Sequence, residues 1–211
     1  MFAKLRLFRK FRFNKWKTYS PQKRLEYAQM FENYYAKKQG RENYVVVWRE
    51  MQEKEYGLCV SAEKIIYISA DLITTYNKMF LLMSTLLHEG RHSFQYFYVN
   101  KEYSNKSKIS KFSKAYKWKN SLGGYLSGAK GENDYTDYAN QSIELDANMY
   151  AYKQLKKLRR KYSTISEYNE EMLRLEEWFE YVAHLGKEKY GMFYKFKINR
   201  KNKKQYKKNR K

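Results

Sequence analysis

His88-Glu89-Gly90-Arg91-His92 places two imidazoles four positions apart, with a carboxylate directly after the first. On a helix, positions i and i+4 share one face, one turn apart. Two imidazoles held that way reach a single tetrahedral ion at about 2.0–2.1 Å. Glu89 is turned about 100° around the helix axis, so it flanks such an ion instead of binding it. A base that takes a proton from water beside a metal must stand there. The chain has three histidines, and two of them fall in this H-E-x-x-H pattern. Chance would produce it in well under ~1% of sequences so poor in histidine. The competing reading is two surface histidines beside a local Glu89–Arg91 pair. Gly90 costs roughly 1 kcal/mol inside a helix and points to the close approach of a neighbouring element.

A metal that activates water needs a third protein ligand and an open position. Cys59, His184 and Glu144 are the candidates, and Glu144 is favoured. It opens Glu144-Leu-Asp-Ala-Asn148, ahead of Met149-Tyr-Ala-Tyr152. Ala147 and Ala151 let two helices approach as closely as a shared ion demands, while Asp146 points elsewhere. Asn148, one turn on, suits a hydrogen bond to a ligating histidine. The competing reading of Glu144 is a carboxylate that complements a helix N-terminus, and that of His184 an imidazole near a helix C-terminus. Arg91 is read as a structural ion-pair partner.

His88-Glu-Gly-Arg-His92 followed by Glu144-Leu-Asp-Ala-Asn148 resembles the gluzincin type of zinc peptidase. The nearest likeness is to the ImmA/IrrE-like peptidases of bacteria and their mobile elements, over roughly residues 58–155. Those carry an H-E-x-x-H helix and a later E-x-x-A-N helix. The resemblance implies Zn2+ at His88, His92 and Glu144, with Glu89 as general base. It also implies an α+β, zincin-like fold: a small β-sheet packed on the active-site helix, with further helices C-terminal. The interval between the motifs is longer than in that family, and no helix-turn-helix partner domain is visible. The site and peptide-bond hydrolysis of a protein or peptide substrate are therefore carried over, and repressor cleavage is not. A developing oxyanion needs one more donor; Tyr135, Tyr138 and His184 are the candidates.

The elements that must position these groups follow from the local sequence. Ser20-Pro21 starts a helix over 21–38 that Gly40 stops. Tyr44–Trp48 and Lys64–Ser69 are strands rich in β-branched and aromatic residues, and Leu58–Val60 is a weaker one. A long helix over 74–98 carries the histidines. Residues 100–139, rich in Lys, Ser, Gly and Asn, form a long basic loop that shapes access to the site. Helices return over 141–160 and 164–185. The chain thus divides into a basic arm at 1–18, a metallopeptidase domain at 19–193 and a basic tail at 194–211.

With 43% apolar and 18% aromatic residues, 211 positions suffice for one buried core. A single cysteine excludes disulfides and a thiolate zinc cluster, and points to a reducing, cytoplasmic setting. No apolar run is long enough to span a membrane, and the basic start lacks the apolar stretch of a secretory signal. The net charge of +22 is unevenly placed. Residues 1–17 hold seven cations and 194–211 hold ten, with no acid in either; 101–130 hold eight lysines and one glutamate. The rest of the chain is close to neutral. Such segments bind polyanions through counterion release: nucleic acid, the ribosome or an anionic membrane surface. A nucleic-acid- or ribosome-associated binding protein with a structural or vestigial metal site is accordingly the second expectation, and a solvated basic tail the plain alternative. The 23 tyrosines are spread evenly, which argues against a cross-linked coat protein.

Overall fold

The computed structural model describes residues 6–105, 108–124, 138, 141–162, 174–181 and 184. Its first stretch differs from the expected arm. Arg6, Arg9, Arg12, Lys15 and Lys17 are exposed, while Leu7, Phe8, Phe11, Phe13 and Trp16 between them are buried. The cations mark the outer face of a packed segment, closed by the short helix α1 (Phe13–Trp16). Phe11 stacks on Trp16 at 5.3 Å and meets Phe31 at 5.3 Å. Phe31 belongs to α2 (Pro21–Gln39), where Pro21 stands in the first turn and Ser20 Oγ accepts the Lys23 N–H at 3.3 Å. Gly40, at φ +68°, ends it in the left-handed region that glycine enters without strain.

Three strands follow: β1 (Val45–Arg49), β2 (Gly57–Val60) and β3 (Ile65–Ser69), each within a residue of its expected position. The order is β1-β3-β2, with β1 parallel and β2 antiparallel to β3. Val45 N–H bonds the Lys64 carbonyl at 2.9 Å, so the backbone N–H and C=O groups of Tyr44 and Val46 turn away from β3. Helix α2 meets them there. The Gln29 amide donates to the Tyr44 carbonyl (2.9 Å) and accepts from Val46 N–H (2.7 Å). Glu32 Oε1 accepts from Tyr44 N–H at 3.2 Å.

The helix expected over 74–98 is interrupted and then runs further. Helix α3 (Ala70–Thr74) and a single 3-10 turn (Tyr76–Lys78) precede α4 (Met79–Asn105). The break has a chemical cause. Buried Arg24 donates to the carbonyls of Ile73 and Thr74 (2.9 and 2.8 Å), which a continuing helix would use itself. Thr75 Oγ1 and the Lys78 ammonium both turn back to the Asp71 carboxylate.

Helix α4 lies at the centre, against α2, α5, α6 and the sheet. Helix α5 (Lys114–Gly123) corrects the expectation of an unbroken loop over 100–139. Ser113 Oγ caps it by accepting the Tyr116 N–H at 3.2 Å, and Ala115 and Trp118 are buried. Helix α6 (Ser142–Tyr162) matches the expected 141–160. Of the last expected helix, residues 174–181 and 184 are described and helical, and Leu175 and Phe179 join the main core. The tail at 194–211 lies outside the described residues. The architecture is α+β, a small mixed sheet among helices. Among the described residues, no helix is long and apolar enough to cross a membrane.

Candidate metal centre

The packing of α6 on α4 brings Glu144 between His88 and His92. Glu144 Oε2 is 3.2 Å from His88 Nε2, and Oε1 is 3.3 Å from His92 Nε2. The two Nε2 atoms are 2.9 Å apart, with the rings nearly perpendicular at 83°. Neighbouring donors around a tetrahedral ion at ordinary zinc distances stand about 3.3 Å apart. His88, His92 and Glu144 form a group that can hold a metal ion. Glu144 is fully buried and His92 nearly so, while the His88 side chain keeps 17% exposure and opens the group to solvent.

The outward ring nitrogens explain why the inward ones suit a cation. His88 Nδ1 is 3.0 Å from Asn148 Oδ1, as the helical spacing of Glu144 and Asn148 implies. His92 Nδ1 is 2.9 Å from Gln95 Oε1. The Gln95 amide nitrogen faces two acceptors, the Ile143 carbonyl (2.9 Å) and Asp146 Oδ2 (3.1 Å), so its oxygen must face His92. An amide oxygen only accepts, so His92 Nδ1 carries a proton and the neutral ring turns its Nε2 lone pair inward; the Asn148 oxygen facing His88 Nδ1 sets the same tautomer there. Two lone pairs and a carboxylate then converge in a water-poor site, an arrangement that repels itself until a positive charge enters.

In the metal-free chain a proton plays that part. Burial alone would lower the His92 pKa, but the adjoining Glu144 carboxylate, with help from Glu89 and Gln95, pushes it up to about 9. Burial works against an ionised Glu144 too, and the two imidazoles override it and hold the carboxyl far below its ordinary range. Glu89 behaves differently. Burial raises its carboxyl above the usual value, and His88, His92 and the Cys59 backbone N–H oppose the rise without cancelling it.

Glu89 projects from α4 toward β2, where Gly57 leaves room for it. A Cβ on Gly57 would stand 2.5 Å from Thr85 Cγ2 and 2.9 Å from Glu89 Cγ. Gly90 has a comparable reason, and what approaches it is an ion pair. Arg41 and Glu32 form a bidentate, fully buried pair (2.6 and 3.0 Å) against α4. A Cβ on Gly90 would stand 2.8 Å from Arg41 Nη2 and 3.0 Å from Glu32 Oε2.

Arg91 has the structural role expected of it. It donates to Asp146 through Nε (2.6 Å) and Nη2 (3.2 Å), and its guanidinium lies over the rings of Phe94, Tyr150 and Trp118. Asp146 thus stays out of the His88–His92–Glu144 group, as read, yet it reaches His92 through Gln95. Gln95 is the residue that the sequence reading missed. Its only signal was a position three after His92, on a neighbouring line of the helix.

The other candidates do not join the group. Cys59 Sγ lies 3.7 Å from Ser61 Oγ, and burial with the Glu89 charge pushes its thiol up to about 12, the wrong direction for a thiolate ligand. His184 is exposed beyond the 174–181 helix. Tyr138 supplies its backbone carbonyl to Gln141 N–H (3.2 Å) just before α6. Tyr135 lies outside the described residues. Compared with family models, curated proteins and solved structures, the chain finds no match.

Proposed function

We propose that the chain is a zinc-dependent metallopeptidase that hydrolyses a protein substrate. The observation that carries this reading is the convergence of two imidazole lone pairs and a buried carboxylate beside a second buried carboxyl that is not part of the donor set. Two nitrogens and one carboxylate oxygen are a donor set that suits zinc and leaves its fourth position open. Zinc bound there would supply a Lewis acid that acidifies water and polarises a carbonyl.

The chain's own residues do the rest. Glu89 takes one proton from the attacking water at its carboxylate as the new C–O bond forms. It then returns that proton to the amine nitrogen as the C–N bond breaks, so the proton balance closes on one side chain. Its raised pKa brings it nearer the pH at which a carboxyl both accepts and donates readily. Asn148 and Gln95 hold the two rings in the ligating tautomer. The partial opening at His88 is where a substrate carbonyl reaches the group.

The test combines metal content with hydrolysis of an unfolded protein. Wild-type chain binds one equivalent of zinc and loses activity to a chelator. His88→Ala loses the metal. Glu89→Gln keeps the metal and loses hydrolysis by about 10²-fold or more. A Glu89→Gln protein as active as wild type would remove the peptidase reading, and full zinc retention in His88→Ala would remove the centre itself.

A further inference from the structure

Lysine recurs every third residue at Lys108, Lys111, Lys114 and Lys117, and these are followed one position on by Ile109, Phe112, Ala115 and Trp118. The apolar members of this pattern begin outside and end inside. Ala115 and Trp118 are buried under α5, whereas Phe112 is 90% exposed, the most exposed large apolar side chain among the described residues. All four lysines are exposed, and so are Lys101 and Lys119. Glu102 is the one acid in 101–124, and it is half-buried.

The turn that carries Phe112 is an ordered one. Phe112 N–H bonds Ser110 Oγ at 3.3 Å, Ser113 N–H bonds the Ser110 carbonyl at 2.9 Å, and Ser113 then caps α5. The ring is held out by hydrogen-bonded backbone, between Lys111 and Lys114, and no apolar neighbour among the described residues shelters it. The nearby rings are engaged elsewhere. Trp118 packs edge-on against Phe94 (6.3 Å) and Tyr98 (5.6 Å), and Tyr103 lies under Lys119 Nζ at 3.9 Å.

We infer that this turn is a docking surface for an anionic lipid bilayer. Phe112 enters the boundary between headgroups and acyl chains, and the surrounding lysines meet the negative headgroups. One protruding ring in a collar of cations is the chemistry by which a surface segment sits in a membrane interface. A nucleic-acid strand bound through its bases calls for several rings with free faces; here Trp118 is packed on Phe94 and Tyr98, Lys119 lies over Tyr103 and Tyr116 is half-buried, which leaves Phe112 as the ring that projects from the turn. The inference does not rest on the metal centre.

The experiment uses the full chain and sedimentation with phosphatidylcholine vesicles, with and without phosphatidylserine, beside single-stranded RNA as a second polyanion. The basic ends of the chain contribute to both probes, so the variants decide. Wild type binds the phosphatidylserine vesicles and leaves the pure phosphatidylcholine ones in solution. Phe112→Ser weakens vesicle binding about tenfold and leaves RNA binding unchanged. Lys108→Gln, Lys111→Gln and Lys114→Gln together weaken vesicle binding on the order of a hundredfold, about fivefold per lysine. The altered side chains are exposed, so an unchanged melting curve shows that the fold is intact. Three results each overturn the inference: no wild-type binding to the anionic vesicles, vesicle affinity indifferent to Phe112→Ser, or RNA affinity falling in step with vesicle affinity in Phe112→Ser.

Discussion

His92 is a residue at which burial and charge pull in opposite directions, and charge wins. An imidazole that ordinarily titrates near 6.5 is held protonated to about 9 by the carboxylate of Glu144. The contribution of the raised His92 ionisation to stability is complete below about pH 6.5 and is lost as pH rises through 9, while that of Glu144 is lost only in acid. Melts of the chelated protein should therefore show Tm falling across that window. Added zinc should reverse the trend, because the deprotonated ring is the one that ligates. A Tm indifferent to pH between those values would mean that the His92–Glu144 contact is not made. Gln95→Leu tests the other side of the ring. It leaves His92 Nδ1, the Ile143 carbonyl and one Asp146 bond without their partner, and zinc affinity measured by competition should fall about 10–100-fold. At this scale the ligands were legible because they follow the helical repeat. Gln95 was not, because its role depends on Ile143 and Asp146, which only the packing of α6 against α4 brings to it.

Helix α4 shows how elements constrain one another around the site. Replacing Gly90 by Ala should favour the helix by about 1 kcal/mol on backbone grounds alone. The Arg41–Glu32 pair reverses the sign. Its guanidinium is pinned by both carboxylate oxygens and cannot swing aside, and disrupting a buried pair costs about 3–5 kcal/mol. Gly90→Ala should thus be destabilised by about 2–4 kcal/mol in urea unfolding. A neutral or stabilised variant would show that α2 can retreat from α4. The strands were readable from β-branched runs, and α2 from its cap and its closing glycine. The break at Thr75 was not readable. It depends on Arg24, a residue far away in the chain that takes the carbonyls of Ile73 and Thr74. Helix α5 was hidden for a related reason: its lysines and serines look like a loop until Trp118 finds Phe94 and Tyr98.

For the whole molecule, the first residues matter more than their charge suggests. Trp16 is fully buried against Phe11 and under the guanidinium of Arg24. Trp16→Ala should cost about 3–5 kcal/mol, read from denaturant unfolding. A loss within experimental noise would mean that the segment is a detachable arm after all. Seven cations in seventeen positions masked an alternation of buried and exposed side chains. Net charge says where a chain is repelled or attracted, and burial is decided residue by residue.

The Gln29 and Glu32 contacts to β1 have a consequence for solubility. A three-stranded sheet with Val45, Trp48 and Leu58 partly open to water would ordinarily be a template on which other copies add strands. Here the amide of Gln29 imitates a peptide unit on one border, and Glu32 occupies the donor next to it. On the opposite border Glu89 takes the Cys59 N–H. A foreign strand arriving at either side finds the N–H groups of Tyr44 and Val46, or of Cys59, already in use, which works against a fourth strand.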